Sequence, residues 1–301
     1  MNTTNPFAQG CAFIDGGFVP AGEARIPVLD YGFLRSDATY DVVHVWNGAF
    51  FRLEDHLDRF LRNVGRLRMT LPMDRAALRT TAIACIEKSG LREAYVWMIC
   101  TRGRPAPGSR DPRRCENRLI VMAVPYVPYA DDEQRRRGLN VVIAKTVRRI
   151  PPESVDPTIK NLHWLDLEMA LFEAYDRGAE NAVLLDASDH VTEGPGFNVF
   201  CVENGVVLTP DRGGLDGITR RTTIELCAEL GIPCRVEPIA KDRFLAADEI
   251  FFTTSAGGVL PVTRIEGRIL GNGAPGPVTA RLGERYHAWH REGRHATPVR
   301  Y

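Results

Sequence analysis

The alternation of apolar and polar residues in the first half of the chain predicts strands joined by tight turns. Residues 12–19 give two short strands around a Gly-Gly pair, and residues 38–53 repeat this pattern more strongly. Asn47-Gly48, at the centre of the second segment, is the pair preferred in a two-residue type I′ hairpin. The same alternation predicts two more strands, at 93–102 and 117–126. The segment between them, 103–116, is rich in Arg and Pro and is predicted to be a loop.

A spacing of three and four residues between apolar side chains follows the hairpin and predicts helices that pack on the sheet. The first helix is expected at 55–68 and the second at 74–88. Residues 127–137 lose this periodicity and gain charge, so we predict an interdomain linker there. The first domain would therefore comprise residues 1–126.

Beyond the linker, short strands and helices are mixed without the regular alternation of a doubly wound sheet. This mixture predicts an α+β domain over 138–301, and the first domain is predicted to be α+β as well. The helices of the second domain are expected at 163–176, 219–230, 240–246 and 277–291. Its strands are expected at 139–146, within 180–208, at 234–238 and at 249–254.

The composition is that of an ordinary soluble globular protein, with 44% hydrophobic and 25% charged residues. Acidic and basic side chains balance at 38 each, which argues against nucleic acid or an anionic membrane surface as a partner. No apolar run reaches the roughly 20 residues that span a bilayer, and residues 1–6 lack the features of a signal peptide, so we expect a cytoplasmic protein. Seven scattered cysteines, and seven histidines without ligand spacing, predict reduced thiols and no metal site.

Lys160 is one of only four lysines among the 38 basic side chains. Arginine stays protonated in proteins, whereas a lysine that loses its proton can attack a carbonyl carbon. Lys160 follows Asp156-Pro157, which interrupts regular structure, and it precedes apolar residues at helical spacing, namely Leu162, Leu165, Met169 and Phe172. Arginine-rich coding would leave a few lysines by accident, but this setting makes Lys160 the candidate for covalent chemistry.

Two segments of the second domain are suited to binding an anion through backbone N–H groups. Leu215–Arg220 starts a helix, where unpaired amides and the helix dipole favour a phosphate. Thr253–Gly258 follows a strand with hydroxyls and glycines, although either segment alone is also what an ordinary helix start or turn looks like. Together with the Lys160 amine, an arginine such as Arg59 and a carboxylate such as Glu193, they provide what pyridoxal phosphate requires.

These residues belong to a longer series of motifs, and the series resembles the fold-type IV pyridoxal-phosphate enzymes. That family contains the branched-chain and D-amino-acid aminotransferases, and the resemblance is closest to the (R)-selective amine transaminases. It covers nearly the whole chain, through Ala24–Asp30, Ser36–Val42, Phe51–Arg59, Pro157–Asn161, Thr192–Asn198, Thr209–Gly213 and Thr254–Gly258. The resemblance implies a two-domain α+β fold with the active site between the domains, assembly as a dimer or larger, and amino transfer in two half-reactions.

The resemblance also implies a role for each site residue. Lys160 is the implied Schiff-base lysine and proton shuttle, and Glu193 is the implied partner of the pyridine nitrogen. Tyr40 would stand beside the cofactor near Lys160. The implied phosphate cage consists of Arg59, Ile218, Thr219, Thr254 and Ser255.

The substrate residues are implied by the same resemblance. Positions that line the pocket of the amine transaminases match Tyr40, Val42, Tyr95, Trp97, Ile99 and Leu162. Tyr95 and Trp97 stand where that family usually has phenylalanine and an acidic residue, so the pocket is expected to differ in size and polarity. The alternative for Trp97 is simple packing in the core.

The arginine that would hold a substrate carboxylate is left open. The loop at 103–116 is shortened where amine transaminases carry a mobile arginine, so either Arg104 or Arg110 would replace it. Arg35 is a third candidate, at a position where those enzymes carry histidine. An arginine fixed in the pocket would favour carboxylated substrates such as D-amino acids, because a bidentate ion pair holds them in place.

We therefore expect an aminotransferase that moves an amino group from an (R)-amine to a keto acid such as pyruvate. D-amino-acid or branched-chain L-amino-acid transamination and, more remotely, an aminodeoxychorismate lyase-like activity are the alternatives on the same fold. A non-catalytic protein that keeps the cofactor cage is the alternative from a different class. The presence of both Lys160 and Glu193 argues against it.

Overall fold

The computed structural model describes residues 9–301. The expectation about a signal peptide concerns residues 1–6, which lie outside this part of the chain. Two units are distinguished by their internal contacts. The first comprises residues up to 127, 159–162 and 293–301, and the second comprises 128–158 and 163–292.

Among the described residues, the first unit contains a seven-stranded sheet in which every neighbouring pair is antiparallel. In spatial order the strands are β16 (Ala296–Pro298), β4 (Ala49–Phe51), β3 (Ala38–Trp46), β5 (Ala94–Pro105), β6 (Cys115–Pro125), β1 (Cys11–Ile14) and β2 (Gly17–Pro20). The helices of this unit are α1 (Tyr31–Arg35), α2 (Leu53–Arg66) and α3 (Arg75–Ser89).

The hairpin between β3 and β4 has the predicted type I′ turn. Asn47 has φ 48° and Gly48 has φ 75°, and this turn requires a positive φ at both central residues. The strands β5 and β6 extend into the segment that we predicted to be a loop. Gly103, at φ +75°, lies at the irregularity between them, where a Cβ atom would stand 1.6 Å from the Glu116 carbonyl oxygen, so only glycine fits.

The core of the first unit lies between the sheet and the predicted amphipathic helices. Val43, Val45, Val96 and Met98 point to the same face of the sheet and are buried. They belong to one cluster with the buried residues of α2 and α3, namely Leu53, Leu57, Phe60, Val64, Leu78, Ala82, Cys85 and Ile86. The predicted apolar spacing of both helices is therefore confirmed.

Among the described residues, the second unit contains a nine-stranded mixed sheet. Its main order is β12 (Cys234–Val236), β11 (Val206–Thr209), β10 (Phe197–Glu203), β13 (Glu249–Thr254), β14 (Gly258–Ile265), β7 (Leu139–Ile143) and β8 (Asn181–Val183). Two short strands complete it, β9 (Glu193–Gly194) on β10 and β15 (Arg268–Ile269) on β14. The helices are α4 (Asp132–Arg137), α5 (Leu165–Asp176), α6 (Ile218–Glu229), α7 (Lys241–Ala246) and α8 (Pro277–Arg291).

The structure also differs from the sequence-based expectations between residues 127 and 162. The predicted linker contains α4, because Asp131 and Gln134 form a capping box that starts a helix in this charged segment. The segment 159–162, which we placed in the second domain, is grouped with the first unit. Residues 144–146 leave the strand that we expected to continue to 146.

The apolar spacing that predicted α5 is exposed rather than buried. Leu165, Met169 and Phe172 are 74%, 46% and 59% exposed, whereas Leu167, Ala170 and Ala174 face the unit's interior. The predicted helix is present, but these three apolar side chains lie mainly on its exposed face. Among residues 9–301, no helix has the length and apolar character to cross a bilayer.

Candidate active site

The backbone around Lys160 is bound to the end of β3. The Tyr40 N–H donates to the Lys160 carbonyl oxygen at 3.1 Å, and the Thr39 hydroxyl donates to the same oxygen at 2.7 Å. Thr39 and Asn161 also form an antiparallel bridge. Strand β4 pairs with β3 at the carboxyl end of β3, at Val45 and Trp46. The lysine segment therefore lies along the amino-terminal part of the same edge of β3.

The Lys160 side chain lies over an aromatic ring. Its Nζ atom is 4.4 Å from the centroid of the Tyr40 ring, within the range of a cation–π contact. Tyr40 is buried and stacks on Trp97, with ring centroids 5.3 Å apart and planes inclined by 15°. Lys160 itself is half-buried, so its amine stands at an aromatic surface and remains accessible.

Strand register brings five of the predicted substrate residues to one face of the first sheet, and one of them, Ile99, lies directly opposite Tyr40. Tyr40 and Val42 alternate along β3, and Val42 lies directly opposite Trp97 of β5. Tyr95 precedes Trp97 by two residues and therefore shares this face; its hydroxyl donates to the Val127 carbonyl at 2.6 Å. Leu162 is half-buried and follows Lys160 by two residues.

The opposite side of β3 carries a buried ionic cluster. Asp41 accepts hydrogen bonds from Arg59 Nε at 2.7 Å, from Arg59 Nη2 at 2.8 Å and from His56 Nδ1 at 2.7 Å. All three side chains are at most 4% exposed. Burial alone would raise the pKa of Asp41, but the charges of Arg59 and His56 outweigh it and hold this pKa well below its usual range.

The pKa of His56, the third member of this cluster, lies below its ordinary value. Burial and the charge of Arg59 lower this pKa more than the neighbouring carboxylates, chiefly Asp41, raise it. Because the Asp41 carboxylate only accepts hydrogen bonds, His56 Nδ1 carries the proton. The predicted phosphate ligand Arg59 is thus held by a buried carboxylate and is not a solvated surface residue of α2.

In the second unit, Glu193 is held as the centre of a second buried cluster. Its Oε1 atom accepts from Arg149 Nε at 3.0 Å, and its Oε2 atom accepts from the Leu215 N–H at 2.8 Å. Arg149 also donates to Asp166 at 2.7 Å. Burial alone would lower the pKa of Arg149, but the charges of Glu193 and Asp166 outweigh it and raise this pKa above its ordinary value.

The predicted phosphate residues Ile218 and Thr219 form the first turn of α6. Both are buried, and Gly217 at the N-cap offers no side chain to the backbone N–H groups that start the helix. A Cβ atom at Gly217 would stand 2.0 Å from Asn198 Oδ1, so a larger residue here would displace the Asn198 side chain. Free N–H groups and the positive end of a helix dipole fit a phosphate group.

Thr254 and Ser255 lie where β13 ends and the chain turns into β14. Thr254 is buried, and its hydroxyl accepts a hydrogen bond from the Ala256 N–H at 3.2 Å. Ser255 is half-buried in the turn that follows. The predicted second cradle is therefore a strand-end turn that presents hydroxyl and amide groups.

The candidate carboxylate-binding arginines lie at the surface. The Arg35 guanidinium is 3.6 Å from the centroid of the Tyr31 ring, at the end of α1. Arg104 is 54% exposed and lies 3.9 Å from the Glu116 carboxylate. Arg110 is exposed in the turn between β5 and β6.

No group of three or more His, Cys, Asp or Glu side chains between residues 9 and 301 is arranged to hold a metal ion. All seven cysteines are free thiols.

Comparison with known proteins identifies the family. Residues 38–265 match the family model described as amino-transferase class IV. The chain belongs to this family. A provisionally named branched-chain-amino-acid aminotransferase of Methanocaldococcus jannaschii is 32% identical to this class IV aminotransferase over 277 residues, covering 91% of this chain and 94% of the relative.

Two further relatives extend the comparison. The D-alanine aminotransferase of Bacillus licheniformis is 27% identical over 274 residues, 89% of this chain and 93% of its own. The T.th. branched-chain amino acid aminotransferase, solved with pyridoxamine 5'-phosphate, superimposes with a TM-score of 0.90 at 28% identity, covering 97% of this chain and 99% of that one. The predicted α+β fold of the fold-type IV aminotransferases is confirmed.

This class IV aminotransferase is a pyridoxal-phosphate enzyme, as predicted. Its donor groups fit that cofactor: an amine at Lys160, a carboxylate at Glu193, a buried guanidinium at Arg59 and the uncapped start of α6. The group itself supplies an aldehyde that captures amines and a ring that withdraws electrons.

Four residues of these two ionic clusters have no role predicted from the sequence. Asp41 and His56 surround Arg59, and Arg149 and Asp166 surround Glu193. The only local signal was the spacing of His56 and Arg59 by three residues, which places them on one face of a helix. Asp41, Arg149 and Asp166 are charged residues whose partners are distant in sequence.

Proposed function

We propose that this enzyme moves an amino group from an (R)-amine to a keto acid such as pyruvate. The observation that carries the proposal is the aromatic surface beside the reactive amine, formed by Tyr40 and Trp97. Stacked aromatic rings bury large apolar groups well and offer no charge to a carboxylate. This surface suits an amine whose substituents are apolar.

The positions of the surface arginines support the same donor class. Arg35 stacks on Tyr31 and Arg104 faces Glu116, and both are exposed. Neither arginine is held in a buried ion-pair network of the kind that fixes Arg59. An amine without a carboxylate needs no fixed arginine, whereas the keto acid acceptor would recruit one of these two side chains from the surface.

The chain's own groups then divide the work. Lys160 Nζ takes the proton from the substrate's α-carbon and later returns one, as a general base and acid. Glu193 would hold the protonated ring nitrogen of the cofactor, and Arg149 fixes the orientation of that carboxylate. Arg59 in the first unit, and the start of α6 in the second, would each offer donors to its phosphate group.

The relatives support a second candidate function. Proteins named for branched-chain amino acids and for D-alanine are 32% and 27% identical to this chain over about nine-tenths of its length. Transamination of D-amino acids or branched-chain L-amino acids is therefore the alternative. An arginine that moves into the pocket would serve it.

We also propose that the enzyme is a homodimer. In the second unit, Leu165, Met169, Phe172 and Tyr175 expose 46–74% of their surface along α5. In the first unit, Val28, Leu29, Phe33 and Leu34 are 53–71% exposed. Apolar patches of this kind mark subunit contacts, and a second copy of the chain is the occupant we propose. A Phe172→Glu variant that elutes as a monomer, beside a dimeric wild type, would support this.

A panel of substrates tests the proposed reaction. The purified enzyme is incubated with (R)- and (S)-1-phenylethylamine, D-alanine and L-leucine, each with pyruvate or 2-oxoglutarate. We expect turnover of the (R)-amine and none of its enantiomer. Turnover confined to amino acids would replace the proposal by the alternative, and turnover that persists in Lys160→Ala would remove the assigned role of Lys160.

A further inference from the structure

We propose that Asp41 is a positioning residue that orients the Arg59 guanidinium toward the phosphate tail of the cofactor. The inference rests on the phosphate-binding role proposed above for Arg59. Asp41 binds Arg59 through two parallel hydrogen bonds, from Nε at 2.7 Å and from Nη2 at 2.8 Å. A two-point contact of this kind fixes the plane of the guanidinium as well as its distance.

The Asp41 carboxylate is itself held from three directions. The Val42 N–H donates to Oδ1 at 2.8 Å, and His56 Nδ1 donates to the same oxygen at 2.7 Å. The third contact is the Arg59 pair. The carboxylate is therefore anchored both to the backbone of β3 and to a side chain one helical turn before Arg59 on α2.

This anchoring links the arginine to the lysine segment through a single strand. Asp41 lies between Tyr40 and Val42 on β3, and the Tyr40 N–H is bound to the Lys160 carbonyl. Strand alternation directs Tyr40 to one side and Asp41 to the other. The same three residues of backbone thus hold the ring that faces Lys160 and the carboxylate that faces Arg59.

A purely neutralising role for Asp41 makes the opposite prediction. If the carboxylate only compensated a buried cation, its removal would leave Arg59 with more unopposed positive charge and would strengthen phosphate binding. If the carboxylate positions Arg59, its removal weakens phosphate binding although the positive charge remains. The direction of the change separates the two roles.

The test compares binding of pyridoxal phosphate with binding of pyridoxal, which lacks the phosphate. Titration of the apoenzyme, followed by calorimetry or by visible absorbance, gives the affinity for each ligand. The ratio used below is the affinity for pyridoxal phosphate divided by the affinity for pyridoxal. We expect Asp41→Asn to lower this ratio by about tenfold or more, since charge-assisted bidentate contacts contribute that much to recognition. A general loss of structure would weaken the binding of both ligands equally and leave the ratio unchanged.

Asp37→Asn is the matched control. Asp37 also binds an arginine through two hydrogen bonds, from Arg102 Nε at 2.9 Å and Nη2 at 3.1 Å, and it belongs to the same unit. We expect this variant to lose stability and keep the ratio of the wild type. Asp41→Glu is the second variant if Asp41→Asn does not fold, because it keeps the charge and moves the carboxylate by one methylene. It is expected to lower the ratio as well.

An unchanged or increased ratio in a folded Asp41 variant would overturn the inference. The affinity ratio of an Arg59→Ala variant distinguishes this outcome from a failure of the proposed function. If Arg59→Ala leaves the ratio of the wild type, Arg59 does not bind the phosphate and the functional assignment itself fails. If Arg59→Ala lowers the ratio while both Asp41 variants keep it, only the positioning role is wrong.

Discussion

Lys160 and Tyr40 are joined twice, once through their backbones and once through their side chains. The Tyr40 N–H donates to the Lys160 carbonyl at 3.1 Å, and Lys160 Nζ lies 4.4 Å from the centroid of the Tyr40 ring. The lysine segment thus forms a single bridge on a part of the edge of β3 that β4 does not reach. The backbone of Lys160 is fixed by two hydrogen bonds to the end of this strand.

Replacement of this amine removes the covalent chemistry. Lys160→Ala is expected to abolish transamination and the visible absorbance of bound cofactor, because the amine at the Tyr40 ring is the nucleophile that we assign. Absorbance spectra and coupled assays measure both effects. Lys145→Ala, which removes a 66% exposed lysine of the second unit, is the control and should retain both properties. Residual turnover in Lys160→Ala would refute the assignment.

The Trp97 ring is expected to influence the choice of substrate. Trp97→Ala removes the stack on Tyr40, and aromatic pairs of this geometry contribute about 0.5–1.5 kcal/mol. We predict a decrease of kcat/KM for (R)-1-phenylethylamine by about two- to tenfold, with a smaller change for D-alanine. Steady-state kinetics with both donors measures the difference. An equal decrease for the two would indicate that Trp97 only packs in the core.

The arginine that binds the acceptor carboxylate is tested by two single substitutions. Arg35→Ala and Arg104→Ala are each assayed with pyruvate at several concentrations. The residue that recruits the carboxylate should raise the KM for pyruvate about tenfold or more when removed, because charged hydrogen bonds contribute roughly 1.5–3 kcal/mol. The other substitution should leave this KM unchanged, since its guanidinium does not bind the acceptor. Unchanged KM values in both variants would rule out both residues.

The cluster around Glu193 is expected to be a determinant of stability. Arg149→Met leaves Glu193 and Asp166 as two buried carboxylates without their cation, and such a loss costs about 3–5 kcal/mol. Urea denaturation at neutral pH measures the change.

The neighbouring arginine provides the control for this experiment. Arg148 pairs with Asp189 at the surface, with side chains 46% and 62% exposed. Exposed pairs contribute about 0–1 kcal/mol, so Arg148→Met should unfold close to the wild type. Equal losses in the two variants would show that burial of the Arg149 cluster has no energetic consequence.

The elements that are determined by residues close together in the sequence could be predicted from the sequence. The hairpin turn at Asn47-Gly48 follows from the backbone conformations that these two residues tolerate, and the amphipathic helices follow from apolar spacing. Strand β14 was missed because Pro261 interrupts its pattern, although it lies opposite Phe251 in the sheet. Strand β16 was missed because three residues carry too little pattern to announce pairing with a strand about 245 positions earlier.

The same distinction applies to the site. Lys160 was found because it is a rare residue type in a distinctive local setting. The partners of Asp41 and Glu193 were not found, because a buried ion pair is specified by tertiary contact and leaves no local pattern. For α5, the apolar spacing correctly predicted a helix, but the apolar side chains that define this spacing are exposed. Apolar spacing indicates a helix and does not tell which of its faces is buried.

His290 on α8 is expected to make stability depend on pH. Burial lowers the pKa of its ring to about 4, and the charge of His287 adds to this, while the hydrogen bond to the Tyr286 carbonyl opposes it. Between this value and the ordinary 6.5, the unfolded chain binds a proton that the folded chain does not, so folding becomes less favourable as the pH falls. The contribution of neutral His290 is complete above pH 6.5 and is lost by pH 4. It amounts to about 3 kcal/mol at most.

Replacement of this histidine by a residue that does not titrate should remove that part of the pH dependence. His290→Gln is expected to lose less unfolding free energy than the wild type between about pH 6.5 and about pH 4.5, whatever the effect of the substitution at neutral pH. Urea denaturation at several pH values within this range gives both slopes. Parallel curves for the two proteins would show that His290 is protonated equally in the folded and unfolded chains and that its burial carries no energetic cost.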